Sequence, residues 1–161
     1  MSIRTKKPLV ALAVAALSSW VVVASASAGE LAVRDAWIRL PPPGANAAGY
    51  MVIENAGASA RRIVGVACDV AARAELHRSW VEDGVAHMRR VDAIEVPAGG
   101  ELRLEPRGLH VMLIRPSSLE EGQRVALRFE VEGGGELAVE VEVRRSAPGA
   151  PAQEPPPPHA H

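Results

Sequence analysis

Residues 124–143 read RVALRFEVEGGGELAVEVEV. Val125, Leu127, Phe129 and Val131 alternate with polar or small residues, and Leu137, Val139, Val141 and Val143 repeat the pattern after a run of three glycines. Successive side chains of a strand point to opposite faces, so each segment offers one apolar face. The glycine-rich loop between them joins the two as a β-hairpin.

The same pattern extends upstream. Leu31 to Leu40 alternates in part, while Ala48 to Glu54 and Ile63 to Val70 are rich in β-formers. Turn clusters punctuate the chain at Pro41-Pro42-Pro43-Gly44, Asn55 to Ser59, Asp83-Gly84, Pro97 to Gly100 and Pro106-Arg107-Gly108. Short strands between frequent turns predict an all-β sandwich or barrel. No stretch from 29 to 145 carries a long period of 3.6 with good caps, although Ser117 to Gln123 is a candidate helical turn.

Both ends differ from this middle. Arg4, Lys6 and Lys7 precede an apolar run from Pro8 to Val23, and small residues follow from Ala24 to Ala28. This reads as a secretory signal peptide, residues 1–28, with an uncleaved membrane anchor as the alternative. Export follows on either reading, to the periplasm or otherwise outside the cytoplasm, and a cleaved signal leaves no stable membrane insertion. The remaining chain divides into one domain, 29–145, and a tail, 146–161, whose sequence SAPGAPAQEPPPPHAH has no apolar period and a proline run that cannot join a sheet. The tail is expected to be disordered or extended. His159 and His161 close it, either as a Cu(II) site or as a solvated end.

Charge narrows the partners. The whole chain has 18 basic and 19 acidic residues, and the signal takes three of the basic ones, so the exported part has 15 arginines and a net charge of −4. No basic patch of the nucleic-acid type is left, so no nucleic-acid partner is expected.

Four side chains then suggest a chemistry: His77, Met88, His110 and Met112. Thioether sulfur and imidazole nitrogen suit Cu(I). Mg²⁺ or Ca²⁺ would want oxygens, and a structural Zn²⁺ site would normally use thiolates. In a strand, His110 and Met112 share a face, with Leu109, Val111 and Leu113 on the other, so the ligands face the rim or outside and the site is shallow. His77 and Met88 flank the turn signal Asp83-Gly84. An even loop puts them on one side, whereas an odd loop or a bulge offers His87 instead.

The spacing H-x10-M-x21-H-x-M resembles the signature of the PCuAC family of periplasmic copper chaperones, and composition alone would produce it with a probability on the order of 10⁻⁴. Asp35-Ala36-Trp37 and Ala47-Ala48-Gly49-Tyr50-Met51 also resemble that family's early strands. The resemblance covers roughly residues 31–145. It implies a cupredoxin-like Greek-key β-sandwich, selects Met88 over His87, and implies a Cu(I) metallochaperone serving the binuclear copper centre of cytochrome c oxidase, in subunit II. Met51 is a possible extra sulfur ligand but reads better as core, and Trp37 and Trp80 read as packing residues.

Two other function classes compete. A cupredoxin-type electron carrier would need a cysteine with two histidines around copper, and the single Cys68 lies nine residues before His77 with no ligand motif around it. Cys68 is expected to be a small, buried free thiol. A metal-free β-sandwich interaction module would make the ligand spacing accidental. The sequence contains no nucleophile elbow, zinc-protease motif or phosphate-binding loop, and no enzymatic activity is expected.

Overall fold

The alternation in residues 124–143 folds as a hairpin. β9 (Arg124–Val131) and β10 (Glu136–Arg144) pair antiparallel, with Leu137 opposite Phe129 and Val141 opposite Val125. Gly133, Gly134 and Gly135 all have positive φ, a backbone path that three successive residues take cheaply only as glycine.

The computed structural model describes residues 30–149. The signal segment 1–28 and the tail histidines His159 and His161 lie outside the described residues. The other strands are β1 (Leu31–Arg39), β2 (Ala47–Asn55), β3 (Arg61–Cys68), β4 (Ala71–Glu82), β5 (Val85–Arg90), β6 (Ile94–Val96), β7 (Glu101–Leu104) and β8 (Leu109–Pro116). Their order is β5-β4-β8-β2-β1-β10-β9-β3-β6, and β7 pairs with the second half of β2. Most pairs are antiparallel, but β10 returns to lie parallel to β1.

The sheet closes over one apolar core. Leu76, Val111, Leu113, Met51 and Ile53 enter it from β4, β8 and β2, and Ile63, Val125, Leu127, Phe129 and Val143 enter from β3, β9 and β10. Cys68 is a free thiol packed half-buried against this core, opposite Leu127, and burial raises its pKa.

Two local features depart from simple alternation. β1 carries a bulge between Arg34 and Trp37, with Asp35 at φ 53°. One inserted residue swaps the faces of everything after it. Val33 therefore pairs with Ile53 on the core side, whereas Trp37 pairs with Tyr50 on the opposite face and Ile38 takes the core position. The expected helical turn at Ser117 to Gln123 is absent. The segment is irregular and ends in a tight turn, where Gln123 N–H donates to the Glu120 carbonyl over 3.1 Å and Gly122 has φ 83°. A glycine with positive φ at the third position makes this a β-turn, not the start of a helix.

Candidate metal centre

The β4–β5 connection settles which side chains share a face. Asp83 and Gly84 form a two-residue loop, both with positive φ, as a type I′ turn requires. Opposed pairs are Glu82 with Val85, Trp80 with His87, Ser79 with Met88 and His77 with Arg90. Met88 therefore lies on the same face as His77, diagonally across the ladder. His87 lies on the other face, stacked on Trp80 with ring centroids 5.1 Å apart.

The β4–β8 ladder adds the second half. His77 is directly opposed to His110, and Glu75 to Met112. The register continues into β2, where Ala48 faces Met112, and into β1, where Trp37 faces Tyr50. A row of rings thus crosses four strands on the face away from the core. Ring centroids are separated by 5.9 Å from His77 to His110, 6.4 Å from His110 to Tyr50 and 5.0 Å from Tyr50 to Trp37. Met88 stands one row to one side of the histidines and Met112 one row to the other. Diagonal and same-face neighbours lie about 7–8 Å apart along the backbone, within reach of a flexible thioether.

The hydrogen bonds of the two imidazoles define their tautomers. His77 Nε2 lies 2.9 Å from Glu75 Oε2. An ionised carboxylate only accepts, so Nε2 carries the proton and Nδ1 keeps its lone pair. That Nδ1 is buried and makes no hydrogen bond. His110 Nδ1 lies 3.1 Å from the Gly108 carbonyl, so it is the donor there and Nε2 keeps the lone pair. Gly108 O also accepts from Ser79 N–H at 3.0 Å, which ties the His110 ring to β4. Histidines that bind metals commonly give their other N–H to a carboxylate or carbonyl, and both rings here do so.

Electrostatics favour a neutral His110. Burial holds the His110 pKa below the usual imidazole value, and the proximity of His77 acts in the same direction, against the Gly108 hydrogen bond. The hydrogen bond from His77 is the main reason the Glu75 carboxyl is held below the usual glutamate range.

The expected shallow site is half realised. Met88 is 53% exposed, but His110 is only 5% exposed, because Tyr50 and Trp37 also occupy this face and are themselves buried. Met51 lies in the core, opposite Leu104, and does not share the ligand face. Cys68 is turned to the core, which gives a thiolate-centred electron-transfer site no support. Sequence reasoning missed Glu75 and the placement of Tyr50. The offset of two between Glu75 and His77 was the signal for the first, since such residues share a face of one strand.

Fold and site together define a small, all-β, cupredoxin-like sandwich bearing paired histidines and thioethers on its outer face. The sequence matches the family described as "Putative lipoprotein LpqE-like" over residues 31–143, and the chain belongs to that family. A relative from Leifsonia xyli subsp. xyli, "Putative lipoprotein Lxx21020", is 29% identical over 114 residues, covering 70% of this chain and 68% of that protein. Among solved structures, the copper-bound PCuAC domain from PmoF2 matches with a TM-score of 0.60 at 25% identity, covering 74% of this chain and 95% of that one. Apo-DR1885 from Deinococcus radiodurans matches with a TM-score of 0.58 at 28% identity, covering 91% and 96%. The Cu(I) form of DR1885 matches with a TM-score of 0.57 at 28% identity, covering 68% and 75%.

Proposed function

We propose that this chain is an exported copper carrier that holds Cu(I) through His77 Nδ1, His110 Nε2 and the sulfurs of Met88 and Met112. The observation that carries the reading is the pair of opposed imidazoles, each with its N–H committed to an acceptor and its lone pair free, on a face that also bears both thioethers. The structural neighbours, which include copper-bound and Cu(I) forms, support it. The names of the lipoprotein relatives support export.

Neutral nitrogen and thioether donors bind Cu(I) without adding charge, and thioethers cannot be lost to disulfides in an oxidising compartment. Glu75, held ionised by its hydrogen bond from His77, supplies a negative charge beside that ring and fixes its orientation. The ion moves on by ligand exchange, each leaving donor being replaced by one from the acceptor, with no change of oxidation state. The acceptor is the copper centre of cytochrome c oxidase, in subunit II, and the carrier's site is periplasmic. His159 and His161 offer a separate Cu(II) site, and removal of residues 146–161 should abolish a second, Cu(II) binding event without altering Cu(I) binding.

X-ray absorption at the copper edge tests the ligand set. Two sulfur and two nitrogen scatterers around one Cu(I) are expected, unchanged in Cys68→Ser. A spectrum with a short thiolate distance that disappears in Cys68→Ser would reject the proposal.

A further inference from the structure

The exposed large apolar side chains of the described residues are gathered on one hairpin: Val81 at 60%, Val85 at 56%, and the candidate ligand Met88. The hairpin carries β5, an edge strand of the sheet. A groove of about 350 Å³ runs along it, lined by Trp80, Val81, Met88 and Arg107 among others.

Four arginines flank these apolar groups, with Glu82 and Asp83 between Val81 and Val85 at the tip. Arg78 and Arg89 are directly opposed across the β4–β5 ladder, and Arg89 also lies over the Trp80 ring, 5.6 Å from its centroid. Arg90 follows in β5, and Arg107 stands on the adjoining turn between β7 and β8. None of these four forms an ion pair among the described residues, whereas Arg34, Arg73, Arg103 and Arg128 each hold a carboxylate. Like charges directly opposed across strands are destabilising, a cost that the stacking of Arg89 on Trp80 acts against. Val81, Met88 and Arg90 project from one face of the hairpin and Val85, Arg78 and Arg89 from the other, so both faces of this edge carry apolar groups beside cations. The four arginines outnumber Glu82 and Asp83, a charge balance that steers a partner of opposite sign.

We propose that the β4–β5 hairpin is the docking surface for the protein that accepts copper from this chain, and that the partner presents an apolar patch ringed by carboxylates. The proposal rests on the copper reading above, because it gives the exposed Met88 thioether a purpose. Met88 is the most accessible donor, so its bond to Cu(I) breaks as a sulfur or nitrogen donor of the docked partner forms one. A second copy of this chain is the poorer occupant. β5 carries Arg89 and Arg90 and no acid, so pairing two β5 edges would bring like charges together.

The probe is the apo soluble copper domain of cytochrome c oxidase subunit II from the same organism, added to the ¹⁵N-labelled chain with residues 29–161 intact. Expected are shifts confined to residues 79–90 and 107–108, and a Kd that rises about 10-fold or more, with loss of its salt dependence, in the triple variant Arg78→Ser, Arg89→Ser, Arg107→Ser. Val81→Ser with Val85→Ser should weaken the complex as well, while both variants keep the parent Cu(I) affinity against a chelator, which reports an intact fold. Shifts centred elsewhere, no shifts, or the parent Kd in both variants would overturn the docking surface. A dimer of the chain alone, broadening the same resonances as concentration rises, would overturn the choice of partner. If the chain takes up no Cu(I) while the hairpin still shifts, the copper reading fails and the docking surface stands. If Cu(I) binds tightly and the hairpin does not respond, the reverse holds.

Discussion

His77 and His110 are directly opposed across the β4–β8 ladder, their rings 5.9 Å apart, and each donates its one N–H to an acceptor on the protein. The fold thereby presents two unprotonated nitrogens on one face, which an isolated pair of surface histidines would not hold in place.

Glu75 orients one of those rings, so it should affect the metal without touching it. Glu75→Gln removes the charge and keeps the shape, and Cu(I) affinity should fall about 10-fold or more, with little change in Tm. A chelator competition beside a thermal melt checks this. Parent affinity in the variant would remove Glu75 from the account.

Acid should destabilise the apo protein through His110. Its folded pKa is lowered, so the unfolded chain takes up its proton first, and stability is full above about pH 6.5 and declines as pH falls below that. Glu75, whose pKa is also lowered, adds its own loss only below about pH 4.3. Thermal melts from pH 8 to pH 5 should show a falling Tm in the parent and a flatter profile in His110→Gln. Identical profiles would contradict the assignment.

The two methionines should separate binding from stability. Met88 is exposed, so Met88→Leu should change stability by less than about 0.5 kcal/mol while weakening Cu(I) binding. Phe129, fully buried, is the opposite case: Phe129→Ala should cost about 3–5 kcal/mol. Urea denaturation of both variants, with a Cu(I) titration under conditions where each is folded, checks the contrast.

Local patterns carried most of this fold. The strict alternation of β9 and β10 and the Asp83-Gly84 turn were readable because period-two patterning and a two-residue turn are properties of adjacent residues. Trp37 is a buried packing residue as expected, but alternation alone does not show its face, because the bulge at Asp35 reverses it and leaves only a mild break in the pattern. The four candidate ligands lie on one face as their spacing suggested, but the burial of His110 depends on Tyr50 from β2 and Trp37 from β1, distant in sequence. The Ser117 to Gln123 segment was misread because a glycine with positive φ closes a turn there.

The most direct test of the central claim is an anaerobic Cu(I) titration of residues 29–161 against a chromophoric chelator, beside the variant Met88→Ala with Met112→Ala. One tight equivalent in the parent, lost in the double variant, is the result this account predicts. No tight equivalent in the parent, or one that survives loss of both thioethers, would contradict it.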